Sequence, residues 1–207
     1  MDADTMLLWS IEETAGYDSA WARVGGSVLR AEGRAVALRA RPYWIDYELE
    51  TRDDFVHRAL RVTSRWQGGS ASLELVRSDS GEWTVDGDPR RDLADALDCD
   101  LAACPLTNAM PILRHRLHQQ TGDEMFVMAF VEVPDLRVVI SEQRYVHLRR
   151  TEDEGAIVGF RAGSFGADLT VDRDGFVVDY PQLGRRVTEG AFPPGIRAAG
   201  PGPSRPG

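Results

Sequence analysis

Short segments in which apolar and polar residues alternate constrain the fold of this chain more than any other feature of its sequence. Apolar residues stand at every second position in residues 45–49, 73–75 and 167–171, and clusters of Gly, Asp, Asn and Pro separate such segments. Residues 34–40 and 125–133 also have the composition of strands. A period of two places the apolar side chains on one face of a strand. Helical spacing is weak, and its best candidate is residues 89–97. We therefore predict a mainly β protein with little helix.

Two parts of the chain resemble each other as hairpins. Residues 70–85 combine an alternating strand, a turn at residues 78–81 and a second strand that carries Trp83. Residues 165–180 repeat this order, with Phe176 in the second strand. Asp and Gly supply the positive φ angles and the local hydrogen bonds that tight turns need. A duplicated β unit would produce this pattern, and so would two unrelated hairpins.

In residues 136–148 the apolar residues do not keep to every second position. Val138 and Ile140 are followed at the same parity by Glu142 and Arg144. Either the inward face changes at a β-bulge near residues 141–142, or two shorter strands meet there. A bulge bends a sheet, as a curled sheet or a half-open barrel requires. We therefore predict a curled antiparallel β-roll whose ladder is irregular at this point.

The length and composition are those of one globular domain. The chain has 207 residues, of which 43% are hydrophobic and 28% are charged, and a chain of this length buries a sizeable core. Residues 193–207 contain five Pro and four Gly, a composition that neither buries apolar surface nor forms a ladder. We predict a single β-roll domain over residues 1–192 and a disordered tail over residues 193–207.

Charge and cysteine content restrict the partners and the compartment. The formal net charge is −9, because 24 basic residues, all of them Arg, are outnumbered by 33 acidic ones. Such a surface repels phosphate backbones and anionic lipid head groups, so we predict no nucleic-acid partner. No apolar run approaches the length of a membrane span, and the acidic start is unlike a signal peptide. With only two cysteines and no disulfide framework, we predict a cytoplasmic protein without a transmembrane segment.

Motifs for metal binding and catalysis are weak. His115 and His118 are three residues apart, but they follow Pro111 in what the pattern predicts to be a strand, where they would face opposite ways. Cys99 and Cys104 have no second pair. The sequence contains no nucleophile elbow, Walker loop or dinucleotide fingerprint. We predict no metal and no cofactor, and the case for an enzyme rests only on a His and a carboxylate that the fold would have to bring together.

Large aromatic side chains are concentrated in the first part of the chain. All five tryptophans lie there, at positions 9, 21, 44, 66 and 83. They suit either a thick core or an apolar cavity. A curled sheet with too few helices to fill its concave face favours a cavity, which is the usual shape of a ligand site.

The densest polar signal lies in residues 98–116. Pro105 and Pro111 bracket Thr107 and Asn108 and stiffen the loop. The Asn amide both donates and accepts hydrogen bonds, and Thr adds a hydroxyl. Such a clamp either holds a neighbouring loop together or binds hydroxyl and amide groups of a ligand.

An ordered set of residues extends from this stretch over about residues 9–183. It comprises Trp9, Tyr47, Trp83, Gly87, Asp98, Asp100, Leu101, Pro105, Thr107, Asn108, Pro111, Ile112, Arg114, Pro134, Leu136, Gln143, Tyr145, Phe165, Asp172, Gly175, Val177, Tyr180 and Pro181. This set resembles the putative glycolipid-binding family, which was formerly a domain of unknown function. The resemblance implies a half-open β-roll similar to bacterial lipoprotein carriers, which hold acyl chains. The chain departs from the family pattern at Leu113, where the first of two adjacent arginines is usual, and at Cys104, where Thr is usual.

Three functions stay open. The first is a non-catalytic binding protein for an amphiphilic ligand, such as a glycolipid or an acyl compound, held in the concave face of the curled sheet. The second is a protein-interaction or scaffold module, and the third is an enzyme with a His and carboxylate site. The candidate ligand-binding residues are Trp9, Tyr47, Thr107, Asn108, Arg114, Gln143, Tyr145 and Tyr180. We predict an amphiphilic small molecule as the partner of a monomer or homodimer.

Overall fold

The structure is a computed structural model that describes residues 4–39 and 41–188. Within these residues, fifteen strands form one open sheet. The strands are β1 (Thr5–Ile11), β2 (Gly16–Gly25), β3 (Val28–Ala37), β4 (Tyr43–Thr51), β5 (His57–Trp66), β6 (Gly69–Arg77), β7 (Trp83–Val85), β8 (Asp88–Pro89), β9 (Asp98–Leu101), β10 (Asp123–Val131), β11 (Val138–Arg150), β12 (Ala156–Ala162), β13 (Phe165–Val171), β14 (Val177–Tyr180) and β15 (Gly184–Arg186). The mainly β fold class is confirmed. The predicted tail, residues 193–207, lies outside the described residues, and the domain limit at residue 192 stays a prediction.

The sheet consists of two meanders that are joined where β1 pairs with β15. Strands β1 to β8 pair in chain order, and strands β9 to β15 do the same. Ile11 of β1 lies opposite Gly184 of β15 in the joining ladder. In the described part of the chain, β9 and β10 form the one parallel pair. Strands β8 and β9 are the two free edges, so the sheet is unclosed, as a half-open roll requires.

The alternation in the sequence matches the burial of the strands. In β4, Ile45, Tyr47 and Leu49 are all at most 3% exposed. In β6, Leu73 and Leu75 are buried in the same way. Each such side chain contributes about 1.5–3 kcal/mol when it leaves water. The period of two therefore places one face of these strands in the core and leaves the other in solvent.

Both predicted hairpins are confirmed, as β6–β7 and β13–β14. In the second, Asp172 Oδ1 accepts hydrogen bonds of 2.9 Å from the backbone N–H groups of Asp174 and Phe176. Gly175 in the same turn has a φ of +85°, a conformation that favours glycine. The two meanders each contain one of these hairpins, and duplication stays an open prediction.

The predicted bulge near residues 141–142 is wrong. The ladder between β10 and β11 is regular through this point. The buried face nevertheless changes, because Val138 and Gln143 are both buried although their odd spacing puts them on opposite faces. The register shift lies between His147 and Arg149, in the ladder with β12. Different parts of the protein cover the two faces of β11. The buried side chains therefore change from one face to the other along the strand without a bulge at residues 141–142.

A helical segment lies where the sequence predicted a strand. A 3₁₀ turn, Pro105–Asn108, runs directly into α1 (Ala109–Arg114), so the predicted strand after Pro111 is wrong. Pro111 is tolerated because the N–H groups of the first helical turn have no intrahelical partner. The chain leaves the helix before Arg116, whose φ is +53°. No helix in the described residues is long and apolar enough to cross a membrane.

The helix predicted for residues 89–97 is reduced to one 3₁₀ turn, Arg91–Leu93. Helix propensity and one pair of leucines four residues apart, Leu93 and Leu97, do not extend this turn into a longer helix. Short helices depend on tertiary packing, because they have little stability of their own.

The helical segment contacts two hydrophobic clusters. Leu106 and Met110 pack in the larger cluster, which contains the buried face of the first meander. Ile112 packs in the smaller cluster with the second meander. Every residue in 104–113 is buried. The polar side chains Thr107 and Asn108 must therefore find hydrogen-bond partners inside the protein.

The tryptophans do not share one environment. Trp9 and Trp83 are buried in the core, and Trp66 packs against it. Trp21 and Trp44 are 55% and 48% exposed on the solvent face of their strands. The expectation that all five fill a core or an apolar cavity is therefore wrong for these two, although Trp21 lines an open, charged depression of the first meander.

Candidate functional site

An open cavity of about 280 Å³ lies against the second meander. One side of it is polar and includes Asp100, Asn108 and Gln143. Another part of its lining is aromatic and includes Phe160 and Phe165. Small-molecule sites begin at about 300 Å³, so the cavity is near the lower end of that range. It combines an apolar wall with a few convergent polar groups, which is the usual composition of a ligand site.

Three rings from neighbouring strands form the aromatic wall. Their centroids are 5.8 Å apart for Phe160 and Tyr180, 6.1 Å for Phe160 and Phe165, and 6.2 Å for Phe165 and Tyr180. Phe165 is 37% exposed. Because antiparallel neighbours bring β12, β13 and β14 side by side, residues that are distant in sequence share one surface here. The wall therefore offers apolar area that is available to a ligand.

A directed chain of hydrogen bonds forms the polar side. Asn108 Nδ2 donates to the Tyr145 hydroxyl at 2.9 Å, and this hydroxyl donates to Gln143 Oε1 at 3.1 Å. Gln143 Nε2 donates to Asp100 Oδ2 at 2.7 Å. Thr107 Oγ1 lies 2.9 Å from Asp100 Oδ1 and can donate to it. Asp100 is therefore the common acceptor in which the chain ends.

Asn108 keeps one side-chain atom without a partner. Its Oδ1 is buried and accepts no hydrogen bond within the described structure, whereas its Nδ2 is used. A buried acceptor that loses its water without gaining a donor costs about 1–3 kcal/mol. Such atoms are rare in native proteins and call for an explanation. This unused acceptor belongs to a residue that lines the cavity.

The electrostatics of the polar side are set by burial. Burial raises the pKa of Asp100, and the hydrogen bonds from Gln143 and Thr107 oppose this rise. Burial also raises the pKa of Tyr180, with further contributions from the charges of Asp100 and Glu13.

Arg114 belongs to a buried ion pair rather than to the cavity wall. Its Nη1 donates to Asp98 Oδ1 at 2.7 Å, and its Nη2 donates to the second carboxylate oxygen. The side chain of Asp98 is fully buried and that of Arg114 is 10% exposed. The guanidinium also lies 5.5 Å from the ring centre of Phe126. The two charges pair inside the protein, although Arg114 Nε is buried without a hydrogen-bond partner in the described structure. This buried ion pair gives Arg114 a structural role.

Two more of the predicted site residues lie in the core of the first meander. Trp9 Nε1 donates to the Val177 carbonyl at 2.9 Å. The Tyr47 hydroxyl donates to Asp18 Oδ1 at 3.1 Å. Asp18 is fully buried, its Oδ2 has no partner within the described structure, and burial raises its pKa to about 7. Neither Trp9 nor Tyr47 lines the cavity.

The structure thus divides the eight predicted site residues into three groups. Those that line the cavity are Asn108, Gln143 and Tyr180. Those that support the lining through hydrogen bonds are Thr107 and Tyr145. Those that lie away from this cavity are Trp9, Arg114 and Tyr47. Of these, Tyr47 lines another depression, of about 460 Å³, on the first meander.

Sequence reasoning missed Asp100, Glu13, Phe160 and Phe165 as lining residues. One signal for Asp100 was present in the sequence, because Asp98 and Asp100 alternate with apolar residues in a short strand. In a strand whose other face is apolar, two carboxylates on one face indicate buried acceptors in need of donors. The two phenylalanines gave no such signal, since only the sheet brings them to this place.

Two larger depressions lie on the charged solvent face of the first meander, with volumes of about 610 and 460 Å³. Their charged lining residues already pair across strands, as in Arg30 with Glu50 at 3.0 Å and Arg61 with Glu74 at 2.9 Å. They are open, charged surfaces of a twisted sheet, without a buried polar group left unpaired among their lining residues. The smaller cavity is the better candidate because its polar groups are buried and converge.

The histidines lie away from the cavity. Within the described residues, none of them lines it, and no group of three or more His, Cys, Asp or Glu side chains could hold a metal. His57 is buried and stacks on Trp83 at 4.8 Å, and burial lowers its pKa to about 3. His115 lies 3.5 Å from Glu124 on the surface.

The comparisons with known proteins agree with this architecture. The family model described as Putative glycolipid-binding matches residues 6–186. A crystal structure of a DUF1089 family protein from Pseudomonas aeruginosa is similar, with a TM-score of 0.68 and 27% sequence identity. The match covers 83% of this chain and 92% of that one. No curated protein matches the chain. The family match extends over both meanders, and the chain therefore belongs to the putative glycolipid-binding family.

Proposed function

We propose that this protein is a non-catalytic binding protein for an amphiphilic ligand. The apolar part of the ligand lies against Phe160 and Phe165, and its polar end meets Asp100, Asn108 and Gln143. The observation that carries the proposal is that an aromatic wall and a buried hydrogen-bond chain face the same cavity. The buried and unpaired Oδ1 belongs to Asn108, one of the residues that line this cavity.

The size of the cavity sets the affinity. Burial of each CH₂ group contributes about 0.8 kcal/mol, so an octyl chain contributes roughly 6 kcal/mol before the costs of association. With a few hydrogen bonds to the polar end, we expect dissociation constants in the micromolar range or below, tight enough for part of the ligand to remain bound through purification. Such a protein would carry or sense its ligand rather than store it irreversibly.

The family description supports a ligand with a lipid-like part. Both cysteines are buried and free, which supports a reducing compartment such as the cytoplasm. Because glycolipids are mostly found in membranes, an acyl compound or a lipid-like metabolite of the cytoplasm suits this proposal better.

Native mass spectrometry tests the proposal. The protein is purified from the organism that encodes it, and organic extraction recovers whatever dissociates. We expect a co-purifying amphiphile of defined mass, on a monomer or a homodimer. A mass that corresponds to the unliganded chain alone would count against a tightly held ligand and favour the alternative below.

One observation favours a protein-interaction module as the second candidate. Tyr17, Val36 and Trp44 lie opposite one another across β2, β3 and β4. All three are between 44% and 53% exposed. This row is apolar surface that a protein partner could cover. The same native mass measurement separates the two candidates, since a homodimer without ligand would support this one.

A further inference from the structure

Large apolar side chains gather on the solvent face of the first meander. Tyr17, Val36 and Trp44 lie opposite one another across β2, β3 and β4, and each is between 44% and 53% exposed. They are referred to below as the apolar row. Met6 and Trp21 form a second exposed pair across β1 and β2. Apolar side chains that gather on one exposed face mark a surface that another segment or protein covers.

The chain leaves the described structure beside this face. Val187 N donates to the Leu8 carbonyl at 2.7 Å, which extends the antiparallel ladder of β15 with β1 in the direction of Met6. Met6 lies opposite Trp21 in the next ladder. The residues that follow Thr188 therefore start close to the exposed apolar side chains. Because β2, β3 and β4 each pair on both sides, a segment that covers them must lie on their side chains.

Residues 189–207 have the composition of a segment that docks on aromatic rings. They include Pro201, Pro203 and Pro206. Proline-rich segments adopt the polyproline II helix, which has three residues per turn and needs no hydrogen bonds of its own. Surfaces lined with aromatic side chains bind such helices. A segment that cannot build its own core can still order on a surface that supplies the apolar contacts.

The spacing of two prolines matches the spacing of the apolar row. Pro203 and Pro206 are one polyproline turn apart, or about 9.3 Å. Tyr17 and Trp44 are two strands apart, which corresponds to about 9.6 Å. One face of the helix can therefore present a proline to each end of the row. The residues from Thr188 to Pro203 extend over about 45 Å in this conformation, and β1 and β4 are only about 14 Å apart.

The charges of the segment and of the face are complementary. Residues 189–207 carry Arg197 and Arg205 against one acidic residue, whereas the whole chain has a net charge of −9. On the face, Glu32 lies opposite Trp21. Glu32 is exposed and forms no ion pair within the described part of the chain. Exposed ion pairs contribute little energy, so a contact with Glu32 orients the segment and the prolines supply the binding energy.

We propose that residues 201–206 dock on the solvent face of the first meander, with Pro203 and Pro206 against the rings of Tyr17 and Trp44. The tether raises the local concentration of the segment to roughly the millimolar range, so a weak contact suffices. The docked segment covers the apolar row and competes with any protein partner for it. This docking is independent of the proposed ligand, because the cavity lies against the second meander.

Photo-crosslinking in the full chain tests the docking. Tyr17→benzoylphenylalanine keeps an aromatic ring in the apolar row and makes it photoreactive. After irradiation and tryptic digestion, we expect mass spectrometry to find crosslinks to the peptide of residues 198–207. These crosslinks should form within one chain, with a yield that does not change on tenfold dilution. Ile140→benzoylphenylalanine is the matched control, because Ile140 is 47% exposed on β11 of the second meander. It should crosslink to that peptide at least fivefold less.

Proline variants test the geometry of the contact. Pro203→Ala together with Pro206→Ala, in the chain that carries Tyr17→benzoylphenylalanine, is expected to lower the crosslink yield at least threefold. Pro193→Ala together with Pro194→Ala makes the same chemical change outside the proposed contact. This control pair should leave the yield within a factor of 1.5 of the starting value.

Three outcomes would overturn the proposal. The first is a yield on residues 198–207 no higher than that of the Ile140 control. The second is crosslinking only between chains, which would assign the face to a second copy of the protein. The third is an equal loss of yield from both pairs of proline variants, which would show that the contact does not depend on the spacing of Pro203 and Pro206.

Discussion

Asn108 and Tyr145 are joined by a hydrogen bond of 2.9 Å although 37 residues separate them in the chain. The bond ties the helical segment to the middle of β11, and both side chains are at most 3% exposed. It uses the Asn108 nitrogen and leaves the oxygen of the same amide unpaired. One buried contact therefore fixes the segment inside the sheet and also leaves a buried acceptor unused on a residue that lines the cavity.

Removing the Tyr145 hydroxyl tests the cost of this contact. Tyr145→Phe leaves Asn108 Nδ2 and Gln143 Oε1 buried without partners, since both bond to that hydroxyl. We expect the free energy of unfolding to fall by about 1–3 kcal/mol, measured by urea denaturation. Tyr17→Phe, at a tyrosine that is 53% exposed, is the matched control and should change stability by less than ~0.5 kcal/mol. Equal effects of the two variants would contradict the proposed network.

Because Asp98 and Arg114 form a buried ion pair, we expect removal of the Arg114 charge to lower the free energy of unfolding strongly. Arg114→Met leaves the fully buried Asp98 charge without its partner, and such a loss costs about 3–5 kcal/mol. Arg144→Met, in an exposed pair with Asp123, should have little effect because solvent screens that pair. The midpoints of denaturant unfolding measure the stability of both variants. A small effect of Arg114→Met on stability together with a large loss of ligand affinity would show that Arg114 acts on the ligand instead.

Asp18 makes the stability depend on pH. Burial raises its pKa from 3.8 to about 7. Between these two pH values the Asp18 carboxyl group is therefore protonated in the folded state and ionised in the unfolded state. The stability that Asp18 contributes is present below about pH 4 and is lost as the pH rises through about 7. His57 acts in the opposite sense, because burial lowers its pKa from 6.5 to about 3. Its contribution is present above about pH 6.5 and is lost as the pH falls.

Comparing Asp18→Asn with the natural chain isolates the carboxyl group, since His57 is present in both. We expect the stability of the variant relative to the natural chain to increase by up to about 4 kcal/mol between pH 4 and pH 8. Urea denaturation at intervals of one pH unit measures this difference. Asp88→Asn serves as the exposed control. A difference that does not vary with pH would contradict the account of Asp18.

Filling the cavity should weaken ligand binding and leave the fold intact. Ala162 lines the cavity at the end of β12 and is partly exposed, so Ala162→Trp places a large ring in the space that the ligand needs. We expect the affinity for octyl glucoside to fall at least tenfold, while the free energy of unfolding changes by less than ~1 kcal/mol. Val36→Trp adds the same ring on the solvent face of β3 and should leave binding unchanged. Unchanged binding by Ala162→Trp would place the site elsewhere.

The strands of the first meander could be predicted because one of their faces is buried and the other is in solvent. The helical segment could not, since residues 104–113 are buried on all sides and therefore show no helical period. Pro105 and Pro111 also argue against a helix unless one knows that each lies at the start of a helical turn. Strand β11 is also covered by protein on both of its faces, at different points along its length. This explains why its buried face changes without a bulge.

The candidate site was predictable where polar residues occur in an apolar context, as at Asn108 and Gln143. Asp100 was overlooked although its alternation with apolar neighbours carried the same signal. Phe160 and Phe165 could not be assigned, because their place beside Tyr180 follows from the pairing of three strands. Tertiary closeness of this kind leaves no trace in local periodicity.

A crystal structure of the protein with bound octyl glucoside tests the central claim most directly. We predict that the alkyl chain lies against Phe160 and Phe165 and that a sugar hydroxyl donates to Asp100 or to the free oxygen of Asn108. A glucoside bound with its sugar away from both groups, or bound on another face of the sheet while this cavity holds no ligand, would contradict the account.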